Sequence, residues 1–181
     1  IDINPSETPE LTMGGWVKVA ILNSYAGTTG YDLARHFLTH ENGDSTSRDR
    51  GVGIDSRGGS MGWSGYRGEE GNGVFGSLAV KTGQWQFVAV VYNTDDDSVL
   101  LYVDGITIKS TAKCGKGNTF LSLGKSTVDN VGIQGSVDSV FVYNTLLTPH
   151  ELSYLQNFAQ ETVPPTAGNG GYAASLNEGL Y

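Results

Sequence analysis

The chain has 181 residues and a formal net charge of −8, and it contains 26 glycines, five prolines and one cysteine. This length suits one domain with a real core, since about 150 residues already bury roughly two thirds of the surface of the unfolded chain. The acidic balance argues against a nucleic-acid ligand, which needs clustered lysines and arginines, because the eleven here are scattered. No apolar run approaches the roughly 20 residues of a membrane span, so membrane insertion is not expected.

The first half of the chain predicts short strands joined by glycine-rich turns. Residues 11–22 predict an early strand in which Trp16 anchors the core and Gly14-Gly15 marks a bulge or a close approach. Residues 33–39 favour a further strand, although the same letters also fit one or two helical turns. After an exposed polar loop, three more short strands are expected at residues 52–55, 62–66 and 73–80.

The second half predicts more antiparallel strands. Apolar runs at residues 87–92 and 99–103 flank a polar loop, and its acids Asp95, Asp96 and Asp97 are typical of a solvated hairpin tip. Further strands are expected at residues 106–110, 120–124 and 135–143.

One short helix is predicted after the last strand. Thr148 as N-cap, Pro149 at the first helical position and Glu151 form a capping box, which predicts roughly ten helical residues to Ala159. From residue 161 the composition changes, and residues 161–181 read as a Gly- and Pro-rich tail or linker. Four apolar side chains of this tail are candidates for packing on a surface: Tyr172, Leu176, Leu180 and Tyr181.

Two stretches carry a resemblance to a known family. Residues 83–105 contain W-x-x-V-A-x-x-Y and L-Y-x-D-G, and residues 135–151 contain G-x-x-D-x-x-x-x-Y-x-x-x-L-T-x-x-E. Over residues 1–160 the chain resembles the laminin G-like and pentraxin-like domains of the concanavalin A-like lectin/glucanase type. The resemblance implies an all-β fold, a two-sheet antiparallel jelly-roll sandwich with one short helix near the C-terminus.

The same resemblance implies recognition rather than catalysis. The expected function is a noncatalytic module, extracellular or at the cell surface, that binds glycan or a cell-surface protein within a larger chain. The alternative is a structural or assembly domain of a surface filament or coat. A glycoside hydrolase is a third and less favoured interpretation, since it needs two carboxylates roughly 5 to 9 Å apart across the scissile bond. No glutamate here lies two or four residues from another acid inside a predicted strand.

Other catalytic patterns fail on their context. Residues 58–62 match G-x-S-x-G and residues 71–76 match G-x-G-x-x-G, but no helix is predicted after either string. His36, His40 and His150 show no zinc-type spacing with one another or with Cys114. The cysteine itself fits a buried small residue better than a free thiol or an intermolecular link.

The candidate ligand-binding residues crowd into one glycine-rich region of the chain. Sugars are commonly held by aromatic faces and planar side chains, which makes this group suggestive. Trp63 fits a core position equally well, because Met61, Trp63 and Gly65 alternate. Residues 49–64 also match a sequence subgroup that the chain resembles, which favours a shared structural or binding role there. The candidates are Asp55, Arg57, Trp63, Tyr66 and Arg67.

The resemblance also implies calcium as a cofactor. Asp138 matches an aspartate that holds a structural calcium in many related sandwiches, here near Asp2. A second site at the rim maps to Asp55 with Asp129 or Asn130. Calcium takes oxygen ligands, and the acids here are mostly aspartates in predicted loops or at strand ends. The alternative for Asp138 is an outward strand residue that makes a surface pair or a turn hydrogen bond.

Overall fold

A computed structural model gives the fold of the protein. The residues it describes are 9–22, 35–41, 50–56, 60–67, 73–93, 95–111, 120–124 and 132–162. They form ten strands and one helix: β1 Glu10–Val19, β2 Arg35–Glu41, β3 Arg50–Asp55, β4 Gly62–Arg67, β5 Gly73–Leu78, β6 Trp85–Asn93, β7 Ser98–Val103, β8 Ile106–Thr111, β9 Phe120–Leu123, β10 Gly135–Tyr143 and α1 Pro149–Thr162.

The strands assemble into two five-stranded antiparallel sheets. Sheet 1 has the order β10-β1-β6-β7-β8, and sheet 2 has the order β5-β4-β3-β2-β9. The predicted jelly-roll sandwich with one short helix is therefore confirmed. The strand interpretation of residues 33–39 is confirmed for its described part, since β2 begins at Arg35. The acids at 95–97 lie at the tip of the β6–β7 hairpin, and Asp97 there has a positive φ of 51°.

The main core lies between the sheets. Its side chains come from alternate positions of facing strands, because successive residues of a strand point to opposite faces. Sheet 1 contributes buried Met13, Val90 and Leu101, and sheet 2 contributes buried Val52 and Trp63. At roughly 1.5 to 3 kcal/mol for each fully buried large apolar side chain, this layer supplies the main drive to fold.

A second apolar cluster lies between sheet 1 and α1. Trp16, Phe87 and Tyr102 form it with Leu152 of the helix. Trp16 is thus buried as expected, but under the helix rather than between the sheets. The register between β1 and β10 shifts at Gly14–Trp16, where a Cβ on Gly14 would lie 2.7 Å from the Cβ of Ala89. Both the predicted bulge and the predicted close approach are present.

Helix α1 begins with the predicted capping box. The Thr148 backbone N–H donates to Glu151 Oε2 at 2.7 Å, its hydroxyl donates to the same atom at 2.8 Å, and the Glu151 N–H donates to Thr148 Oγ1 at 3.3 Å. The hydrogen bonds from the Thr148 backbone and then from its hydroxyl lower the pKa of Glu151. The helix ends at Thr162, beyond the predicted Ala159. Among the described residues, no helix has the length and apolar character needed to cross a bilayer.

Candidate ligand-binding face

Strand register divides sheet 2 into a core face and an outward face. Val52 and Ile54 of β3 enter the core, so Gly51, Gly53 and Asp55 belong to the opposite face. Their register partners on the neighbouring strands share that face. Gly73 and Phe75 of β5 flank the core residue Val74 and lie on the same face. We call these positions the outer face: His36, Thr39, Gly51, Gly53, Asp55, Gly62, Ser64, Tyr66, Gly73 and Phe75.

The glycines of the outer face bring neighbouring backbones close together. A Cβ on Gly53 would collide with the carbonyl oxygen of Arg35 on β2, so only glycine fits that position. This contact gives a structural reason for one glycine of the stretch at 49–64. The middle of the face therefore has no side chain at Gly51 or Gly53, and both glycines are buried.

The polar side chains of the outer face are mostly buried. His36, Thr39, Asp55 and Ser64 all lie below one tenth exposure. The Ser64 hydroxyl donates to the Gly62 carbonyl at 3.1 Å and accepts from the Gly76 N–H at 2.7 Å. The Ser64 hydroxyl therefore links β4 to β5. Asp55 is fully buried, so its carboxylate is not presented to solvent.

The accessible part of this face lies towards β5. Gly73 and Phe75 of β5 are partly exposed. In the backbone register, Tyr66 of β4 is paired with Gly51 on one side and with Gly73 on the other. The register therefore places a tyrosine position between two glycines, on the same face as the partly exposed Phe75. Aromatic side chains are the residues that commonly pack against the apolar face of a sugar ring.

Trp63 lies in the core and not on the candidate ligand-binding face. This is the position that its alternation with Met61 and Gly65 also allowed. Its exposure is 0%, and its indole Nε1–H donates to Gln86 Oε1 at 3.0 Å. Gln86 belongs to β6 of the facing sheet, so Trp63 points away from the outer face. The indole therefore offers no surface on which a sugar can stack.

The remaining ligand candidates are only partly placed. Arg57 lies outside the described residues. Arg67 is the register partner of Arg50, and for both Tyr66 and Arg67 the structure describes the backbone. Arg50 itself is buried, and its Nε and Nη2 lie 3.1 and 2.8 Å from His40 Nδ1. Because a guanidinium only donates, this geometry requires an unprotonated Nδ1 on His40.

Asp138 accepts hydrogen bonds at the bulge of β10. Its Oδ1 accepts from the Ser139 N–H at 2.6 Å and from the Ser139 hydroxyl at 3.3 Å, and Ser139 has a φ of 49°. In the register, β10 has Ser139 and Val140 where β1 has only Gly15. This arrangement is the turn hydrogen bond that the sequence left open as the alternative to a metal ligand.

The described side chains do not form a calcium site by themselves. Within those ranges, no three histidine, cysteine, aspartate or glutamate side chains come together as a cation site. Asp2, Asp129 and Asn130 lie outside the described residues, as does Cys114. The calcium prediction therefore depends on Asp2 and Asp129.

The sequence profile of the Concanavalin A-like lectin/glucanases superfamily matches residues 4–153. The chain belongs to this superfamily. No curated protein matches the sequence.

Solved structures with the same fold include known carbohydrate-binding domains. The CBM40 domain of a Ruminococcus gnavus IT-sialidase has a TM-score of 0.56 and 16% identity over 86% of this chain and 95% of that chain. Domain 4 of AbnA, an extracellular arabinanase from Geobacillus stearothermophilus in complex with arabinotriose, has a TM-score of 0.54 and 19% identity over 81% of this chain. The present chain spans 66% of that domain.

A third similar structure is an assembled protein. The heptameric SAP-like pentraxin of Limulus polyphemus has a TM-score of 0.55 and 15% identity, over 81% of this chain and 69% of that chain. At identities this low, all three likenesses establish the fold alone. Sandwiches of this fold host different ligands, arabinotriose and sialyllactose among them, so the site must be argued from its own residues.

Sequence reasoning missed Phe75 as a site residue. Val74 enters the core, so alternation along β5 assigns Phe75 to the opposite face, the same face as Ser64. The alternation of apolar and small residues at 73–78 is visible in the sequence. It identifies Phe75 as a candidate only when the strand order is known, because β5 pairs with β4.

Proposed function

We propose that this domain is a noncatalytic glycan-binding module, and that glycan binds on the outer face of sheet 2 at its β4–β5 side. The register of Tyr66 between Gly51 and Gly73, next to partly exposed Phe75, carries the proposal. Sugars stack on aromatic faces through their C–H groups, and the partly exposed Gly73 leaves room for the ring to approach from the β5 side.

The chemistry of this face favours binding over hydrolysis. A glycosidase needs two carboxylates across the scissile bond, roughly 5 to 9 Å apart. Among the described side chains of the outer face, the single acid is Asp55, and it is fully buried. Noncatalytic binding fits this inventory of residues better.

Similar domains support a glycan as the ligand. The Ruminococcus gnavus domain has been solved bound to α2,3 sialyllactose, and the Geobacillus domain is in complex with arabinotriose. Both are parts of larger enzymes by name. We therefore propose that this chain is likewise one domain of a larger secreted or cell-surface protein, with a glycan or a glycosylated surface protein as its partner.

Calcium assistance remains part of the proposal. It rests on the resemblance of Asp138, with Asp2, and of Asp129 to the calcium ligands of related sandwiches, since calcium binds carboxylate and carbonyl oxygens. The described residues alone do not supply the calcium ligands.

The proposal is tested by a glycan array probed with the full chain, in calcium and in chelator. Tyr66→Ala and Phe75→Ala test the outer face. Tyr143→Ala is the matched control, because this tyrosine is 40% exposed on β10 of the other sheet. We expect glycan binding that both outer-face variants lose and the control keeps.

Two results would overturn the proposal. The first is an array with no bound glycan for the correctly folded chain, which would favour an assembly role. The second is binding that survives both Tyr66→Ala and Phe75→Ala but is lost in Tyr143→Ala, which would move the site to sheet 1.

A further inference from the structure

Helix α1 presents an exposed aromatic pair. Tyr154 is 64% exposed and Phe158 is 51% exposed. Their rings stack on each other, with centroids 6.2 Å apart and planes inclined by 20°. Single exposed apolar residues are common, but two adjacent exposed aromatic rings form a patch of the kind that usually meets a partner.

The pair lies on the side of α1 that faces away from the sandwich. Leu152 is fully buried against sheet 1, and Gln156 Oε1 accepts from the Tyr102 hydroxyl at 2.8 Å, so this side fastens the helix. Tyr154 follows Leu152 by two positions, about 200° around the helix axis. Phe158 follows Tyr154 by four positions and therefore shares its side.

The chain that follows the helix carries matching apolar residues. Residues 163–171 contain two prolines and three glycines, which stop a helix and allow the chain to reverse. Tyr172, Leu176 and Leu180 then recur at intervals of four, the spacing of one helix face.

The distances allow this segment to return to the aromatic pair. The ten residues from Thr162 to Tyr172 span up to about 33 Å when extended. Phe158 precedes Thr162 by four helical residues, or about 6 Å. Because only ten residues join the two parts, their effective concentration lies in the millimolar range, which favours contact within one chain over contact between chains.

We propose that residues 172–181 dock on Tyr154 and Phe158 of the same chain and cover the exposed side of α1. Leu176 and Leu180 are the residues that contact the two rings. The interaction is independent of glycan and of the outer face, since α1 lies on sheet 1 and the outer face belongs to sheet 2.

The test uses the full chain with isotope labels. Nuclear Overhauser contacts are sought between the rings of Tyr154 and Phe158 and the methyls of Leu176 and Leu180, and amide hydrogen exchange is followed through α1. Leu176→Asp with Leu180→Asp breaks the apolar pattern. Thr166→Asp with Asn169→Asp is the control, because it adds the same charge to the same tail at polar positions.

We expect intramolecular contacts that the leucine double variant loses and the control keeps, with several-fold faster exchange of the Tyr154 and Phe158 amides in the leucine variant. Contacts seen only between differently labelled chains in a mixed sample would overturn the proposal in favour of a second copy. Absence of contacts, with exchange equal in both variants, would overturn it outright. None of these outcomes depends on whether a glycan binds.

Discussion

The indole N–H of Trp63 donates to the side-chain oxygen of Gln86 at 3.0 Å, and this bond joins the two sheets through the core. Gln86 Oε1 also accepts from the Lys81 N–H at 2.7 Å, and Gln86 Nε2 donates to Asp104 Oδ2 at 3.2 Å. Asp104 in turn accepts from the Phe87 N–H at 2.9 Å. The L-Y-x-D-G motif thus supplies the carboxylate that holds the glutamine in place.

Gln86→Leu should destabilise the fold. It leaves the buried indole N–H of Trp63 without its acceptor, which costs about 1 to 3 kcal/mol, and it also removes the acceptor of the partly buried Lys81 N–H. We expect a loss of about 3 kcal/mol in the free energy of unfolding, measured with urea. Gln84→Leu is the control, because Gln84 is exposed, and it should change stability by about 0.5 kcal/mol or less. Equal stability of the two variants would contradict the network.

Gly65→Ala should overpack the core between the sheets. The added Cβ would lie 2.8 Å from Val90 Cγ1 and 3.3 Å from Val99 Cγ2. We expect a cost of about 1 to 3 kcal/mol in urea unfolding. Combining it with Val90→Ala removes the nearer methyl group, so the double variant should lose less than the sum of the two single variants. Strict additivity would show that these two residues do not compete for space.

Much of this fold was predictable because its signals are local. The capping box at Thr148 and Glu151 and the bulge at Gly14 follow from short-range chemistry that the residues themselves specify. The acids at 95–97 likewise lie at the hairpin tip that their polarity indicates. Strand pairing between distant segments, such as β2 with β9, has no comparable local signal.

The candidate site was harder to predict for the same reason. The alternation of residues along β4 allows Trp63 to face either the core or the surface. Its hydrogen-bond partner in the core, Gln86, belongs to a strand of the other sheet, so the sequence around Trp63 does not reveal it. Only the order of the strands puts Phe75 on the same face as position 66 of the neighbouring strand. Asp138 was predicted from the resemblance as a metal ligand, and its Oδ1 accepts hydrogen bonds from Ser139, whose positive φ the sequence does not reveal.

The capping box should give Glu151 a measurable titration signature. Hydrogen bonds from the Thr148 backbone and then from its hydroxyl hold the pKa of Glu151 below its ordinary value of 4.5. The folded-state pKa is depressed, so this contribution to stability is complete above pH 4.5 and is lost as the pH falls through the lower folded value.

Carboxylate NMR is the direct readout of that signature. Thr148→Ala removes the hydroxyl donor and keeps the backbone donor, so the pKa of Glu151 should rise only part of the way towards 4.5. A pKa in Thr148→Ala that equals the unsubstituted value would contradict the role of the hydroxyl.

Calcium should stabilise the fold if Asp138 and Asp2 share an ion. A ligand that binds only the folded state at 100 times its Kd adds about 2.7 kcal/mol, so the melting temperature should rise with calcium and fall with chelator. Asp2→Asn and Asp138→Asn should each remove this dependence. Asp96→Asn at the exposed hairpin tip should keep it. A melting temperature unchanged by chelator would contradict the calcium proposal and leave Asp138 as the cap of Ser139 alone.

The most direct test of the account locates the bound sugar on the protein. The full chain, labelled with ¹⁵N, is titrated with the strongest glycan from the array while backbone amide shifts are followed. The account predicts that the largest shifts fall on Gly51, Tyr66, Gly73 and Phe75, on the outer face of sheet 2. Largest shifts on β10 or α1, with these four amides unmoved, would contradict it.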